Sequence, residues 1–80
     1  MIHFEYPTTD IVLAASLKMY GCKLDRIHLQ DGRRGVFFFR DVEDEFIDMF
    51  NTGKVTVEPT AFHSEVRILT GSVNRMKGPQ

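Results

Sequence analysis

Residues 2–6 alternate, with Ile2, Phe4 and Tyr6 on one parity and His3 and Glu5 on the other, which predicts a strand. Pro7 removes a ladder donor and is expected to end it. Thr8 or Thr9 then suits a helix N-cap, with Asp10 in the first turn, where the positive end of the helix dipole favours an anion. Ile11, Ala14, Ala15, Leu17 and Lys18 recur at helical offsets, the two alanines permit close packing, and Gly21 is a natural residue just past the helix end.

The next two segments read as strands. Leu24–Gln30 places Ile27 and Leu29 on one face, but Leu24 has the opposite parity, so either a bulge intervenes or pairing starts later. Asp31-Gly32 is a hairpin signal, because a type I′ turn needs positive φ at both central positions. The second strand is Arg34–Arg40. Asp41 is then expected to cap a helix over Val42–Asn51, with Glu43, Asp44 and Glu45 in its first turn and Val42, Phe46, Met49 and Phe50 as its apolar stripe. Asn51-Thr52-Gly53 ends that helix. Lys54–Glu58 alternates around Val55 and Val57 and predicts a short strand. Pro59 suits the first position of a last helix. Along it, Phe62, Val66, Leu69, Val73 and Met76 recur at spacings of four and three, a narrow seam of the kind that pairs helices. Gly71 weakens that helix by about 1 kcal/mol relative to alanine, so an end near Thr70 is one outcome. Met76–Gln80 reads as a loose tail.

The resulting order is β-α-β-β-α-β-α. It predicts one α+β domain over residues 1–80, a small two-layer sandwich of ferredoxin-like β-α-β-β-α-β order with an additional C-terminal helix. A chain of 80 residues buries only about 60–65% of its extended surface, so stability is marginal and dimerisation would add core. The last-helix seam is where a second copy could pair.

Charge and cysteine content narrow the function classes. A net charge of −1 argues against a strongly electrostatic nucleic-acid binder, though not against a local basic patch. One cysteine, Cys22, allows no internal disulfide, which fits a reducing, cytoplasmic setting. The first ten residues carry acids and a proline, unlike a signal peptide, and no apolar run reaches the ~20 residues that span a bilayer, so no membrane partner is expected. His3, His28 and His63 fall on three separate elements in no metal-ligand spacing. Cys22 has no histidine near it in sequence and reads as a small apolar residue. The acids Asp41, Glu43, Asp44 and Glu45 lack the spacing of a calcium loop and are explained by capping and the helix dipole. No catalytic residue, metal or cofactor is predicted.

One stretch points elsewhere. Arg34-Gly35-Val36-Phe37-Phe38-Phe39-Arg40-Asp41 is a partial match to the third-strand signature of RNA-recognition domains, whose aromatics stack bases. Arg34, Gly35 and Phe38 fit. Val36, Phe37 and Asp41 depart from it. On this reading Arg33, Arg34, Arg40 and Lys54 contact phosphates while Phe38 and Tyr6 stack bases of single-stranded RNA or DNA. The competing reading buries the strand on both faces, with the last helix lying over the second one.

Thr8-Thr9-Asp10-Ile11, Leu13-Ala14-Ala15, Leu17 and Gly21, an aromatic strand after a hairpin, and Val55-Thr56-Val57-Glu58-Pro59 together resemble a family of small uncharacterised domains of bacteria, archaea and their phages. Those domains share a TTD-x-x-LAA-x-L-x-x-x-G opening, a phenylalanine-rich strand and a V-x-V-x-P segment. The resemblance spans most of residues 8–70. It implies a phage or mobile-element setting and carries no assigned activity. The sequence therefore predicts a non-enzymatic interaction module acting on a protein partner, with homodimerisation through Phe62, Val66, Leu69, Val73 and Met76, and single-stranded nucleic-acid binding as the alternative.

Overall fold

The computed structural model describes residues 2–78. In chain order the elements are β1 (Ile2–His3), β2 (Tyr6–Thr8), α1 (Ile11–Met19), β3 (Lys23–Gln30), β4 (Arg34–Arg40), β5 (Val42–Glu43), α2 (Asp44–Asn51) and α3 (Pro59–Met76). β2, β4 and β3 form a three-stranded antiparallel sheet in the order β2-β4-β3, and β1 pairs with β5 antiparallel. The two sheets share one register. Tyr6 lies opposite Phe39 and His3 opposite Val42, so three steps on each chain lead from one sheet to the other with no residue gained or lost. The ladder breaks at Phe4 and Glu5, opposite Asp41 and Arg40, and the φ of 56° at Asp41 puts it in the left-handed region.

The fold is thus α+β with three helices, but its topology is not the ferredoxin-like order that the pattern predicts. Lys54–Glu58 forms no ladder, and β2 runs antiparallel to β4. The alternation in 54–58 is nevertheless expressed. Val55 and Val57 are half-buried between exposed neighbours, and the Thr56 carbonyl accepts a hydrogen bond from the Tyr20 hydroxyl at 2.8 Å. The segment has the strand pattern without a strand beside it. The predicted strand 2–6 is likewise split by the bend, and Pro7 sits inside β2, where an edge strand tolerates a missing donor.

Helix ends follow local chemistry. Asp10, not Thr8 or Thr9, is the N-cap of α1. Its carboxylate accepts from the Val12 and Leu13 amides at 2.9 and 3.3 Å, while Thr8 Oγ1 accepts from the Asp10 amide. After α1, the Gly21 amide donates to the Lys18 carbonyl and the Cys22 amide to that of Leu17, a Schellman closure made with Gly21 at positive φ. The same pair of bonds closes α2 around Gly53. Asp41 does not cap α2: Val42 and Glu43 are drawn into β5, and the helix starts at Asp44. α3 begins at Pro59 as the sequence predicts and continues through Gly71 to Met76. Of the expected tail, Lys77 still donates to carbonyls of the last turn, and Pro79 and Gln80 lie outside the described residues.

The core fills one face of the three-stranded sheet. Leu13, Ala14, Ala15 and Leu17 of α1, Phe37 and Phe39 of β4, Val42 of β5 and Leu69 of α3 are buried together. Gly35 lets α3 come close: a Cβ on it would lie 2.5 Å from Val73 Cγ2. Phe62, Val66, Leu69 and Val73 all pack against this core, while Met76 remains 43% exposed. The seam that suggested a second copy is filled within the chain. No helix among the described residues is long and apolar enough to cross a membrane.

Candidate functional site

Strand alternation sends Gly35, Phe37 and Phe39 into the core and leaves Arg34, Val36, Phe38 and Arg40 on the opposite face. No helix among the described residues covers that face. The register lays cross-strand rows over it: Pro7, Phe38 and Arg26; Val36 and His28; Arg34 and Gln30; Arg40 and Lys23. All are solvent-exposed except Val36 and Phe38, which are half-buried. The register shift between Leu24 and Arg26 is the bulge that the parity of Leu24 predicts. It makes Asp25 the extra residue and brings both Lys23 and Arg26 to the open side.

At one end of the face, charges are engaged. The Arg26 guanidinium carbon stands 4.1 Å from the Phe38 ring centroid, a cation–π stack. Arg26 Nη1 donates to Glu5 Oε2 at 2.8 Å and to Asp25 Oδ2 at 3.2 Å, and Arg40 Nε lies 3.3 Å from Asp25 Oδ1. The hydrogen bond that Arg26 donates to Glu5 raises the guanidinium pKa above its ordinary value, so the stack is cationic. At the hairpin end the cations are free. Asp31 and Gly32 both have positive φ, and the Arg33 amide closes the turn onto the Gln30 carbonyl at 3.0 Å. Among the described residues, no carboxylate pairs with Arg33 or Arg34 there, nor with Lys23 at the far end beside Arg40. Two shallow depressions meet at Gln30, one lined by Gln30, Asp31, Arg33 and Arg34 and one by Pro7, Thr8, Thr9, Gln30 and Val36.

The structure places Arg34, Phe38 and Arg40 along one face of β4, with Arg33 at the adjoining turn. It separates the other two predicted contacts. Tyr6 lies opposite Phe39 and packs toward the core, so it and Phe38 are on opposite faces. Lys54 belongs to the connection between α2 and α3, outside the sheet. Arg26, Lys23 and His28 were missed. Their alternation with Ile27 and Leu29 in β3 carries the signal, once the bulge resets the parity at Asp25.

His3 Nε2 hydrogen-bonds Asp44 Oδ1, tying β1 to the start of α2, and the His3 ring meets Tyr6 edge-on at 5.5 Å. No group of three or more His, Cys, Asp or Glu side chains among the described residues is arranged to hold a metal ion. Burial first, and then the charge of Asp41, pushes the Cys22 thiol above its ordinary value, the wrong direction for a nucleophile.

The model of a family described as a domain of unknown function, DUF5659, matches residues 3–74. The chain belongs to the DUF5659 family. The match runs from β1 into the last turns of α3, so the DUF5659 unit contains both sheets and all three helices. It agrees with the resemblance to small uncharacterised domains read from the sequence. No curated protein and no solved structure shows significant similarity to the chain.

Proposed function

We propose that this domain is a non-enzymatic binding module whose open sheet face takes single-stranded nucleic acid. The supporting observation is an asymmetry of charge around the half-buried Phe38 ring of the open face. Lys23, Arg26, Arg33, Arg34 and Arg40, half of the ten Lys and Arg residues, belong to the β3–β4 hairpin, against the two acids Asp25 and Asp31 there, in a chain of net charge −1. Glu43, Asp44, Glu45 and Asp48 gather at α2 instead. A single strand offers both phosphates and unpaired bases, and an open sheet with cations beside a stacked ring suits both. Filling of the α3 seam within the chain supports this surface over a helix-paired homodimer as the place for a partner.

Fluorescence anisotropy with labelled single-stranded RNA and DNA across a salt series tests the reading. Binding is expected to weaken linearly in log–log form with salt. Arg34→Ala should flatten that slope by about 0.7, the value for one phosphate contact on a single strand. Absence of binding to either strand at low salt overturns the proposal.

A further inference from the structure

We infer that the Arg26 guanidinium, rather than the Phe38 ring, is the surface on which a base stacks; this rests on the nucleic-acid reading above. Phe38 is the aromatic of the face, but its outward side is occupied. Arg26 stands 4.1 Å over the ring, and the carboxylates of Glu5 and Asp25 hold it there through Nη1. The Arg26 side chain is still 51% exposed. A guanidinium is planar: its carbon sits 4.1 Å from the Phe38 centroid, Nη1 meets the two carboxylates, and the half-exposed side chain leaves room for a base. Guanidinium planes stack on bases as aromatic rings do. Because Glu5 and Asp25 fix the plane beforehand, a base meets an ordered platform and the arginine loses little rotamer freedom on binding. Those carboxylates also cancel Arg26 as a net charge. The face therefore divides its labour, with Arg33 and Arg34 as the free cations for phosphate and Arg26 on Phe38 as the stacking plate.

Arg26→Lys separates the two roles, because lysine keeps the charge and removes the plane. In the same anisotropy assay with full-length protein, Arg26→Lys and Arg26→Ala should each weaken binding about tenfold, within the range of one lost base stack, with the salt slope unchanged. Arg34→Lys should bind nearly as wild type. Circular dichroism melts of each variant confirm that it is folded at the assay temperature. If Arg26→Ala binds as tightly as wild type or more tightly, the bare Phe38 ring is the platform and the inference fails while the binding face stands. Arg26→Lys equal to wild type overturns it in the same way. Failure of the wild-type protein to bind any strand overturns both. Parallel RNA and DNA arms show which sugar the face prefers.

Discussion

The two faces of β4 differ in what each residue is asked to do. On the inner face Phe37 and Phe39 are buried and Gly35 makes room for Val73 of α3. On the outer face Phe38 is half-buried under Arg26, and Arg34 and Arg40 stand in solvent. Three consecutive phenylalanines therefore serve two purposes. Two are core, and the third anchors a polar surface that the fold leaves uncovered. The most direct way to break this contrast is to truncate one ring at a time. Phe39→Ala should cost about 3–5 kcal/mol, a large share of the ~4–12 kcal/mol available to a chain of this size. Phe38→Ala loses partial burial and a cation–π contact of about 0.5–1 kcal/mol, and should cost about half as much or less. Urea denaturation measures both. Equal costs would mean that the two faces are not distinct.

The inner face can also be probed by adding an atom. Gly35→Ala drives a methyl group into Val73, a stiff side chain on a packed helix, and should destabilise the fold by about 1–3 kcal/mol. In a Val73→Ala background the same change meets a smaller neighbour and should cost clearly less, so a double-mutant cycle should show coupling. Additive costs would place the strain somewhere other than the β4–α3 contact. The result bears on function because Gly35 is also one of the residues that fits the RNA-recognition signature. Here its demonstrable job is helix approach on the inner face.

Which of these features could be read in the sequence follows from the range over which each is determined. The bounds of β4, the Asp31-Gly32 turn, the glycine closure of α1 and the start of α3 at Pro59 are set within a few residues and were legible. The bulge at Asp25 was legible as a parity conflict. Long-range choices were not. Val55 and Val57 alternate like strand residues, yet no strand lies beside them. Asp41 looks like a cap, but β1 captures Val42 and Glu43 into a ladder and moves the helix start to Asp44. The open sheet face depended on where α3 comes to rest. Its seam fits a second helix or its own sheet equally well on spacing alone, and the close approach at Gly35 decides for the sheet.

The helix that covers the inner face can be strengthened without touching either face. Gly71 lies inside α3, where a Cβ would meet only Arg75 Nη1, at an ordinary 3.5 Å. Gly71→Ala should stabilise by about 0.5–1 kcal/mol, raising the melting temperature by about 4–8 °C per kcal/mol in a domain of this size. Nucleic-acid affinity should not change, since Gly71 is remote in role from the open face. A gain in stability accompanied by altered binding would show that the two faces are coupled through α3.

The smallest expected effect sits at the first turn of the same helix. Glu58 is an uncommon N-cap, and its carboxylate accepts from the Ala61 and Thr60 amides at 2.7 and 3.0 Å. Those backbone hydrogen bonds, Ala61 first, lower its pKa below the ordinary glutamate value. A folded-state pKa below the unfolded one means that the folded chain favours the ionised form. The stabilisation is then complete above the unfolded value of about 4.3 and is lost as pH falls through the lower folded value. Glu58→Gln keeps an acceptor but not the charge that complements the helix dipole. Wild type should therefore be the more stable of the two near neutral pH, and urea midpoints should converge only as pH falls through the lowered folded value. A gap that persists unchanged into acid would assign the difference to the shape of the cap instead of its charge. The start of α3 would then be held by Pro59 and by the seam beneath it.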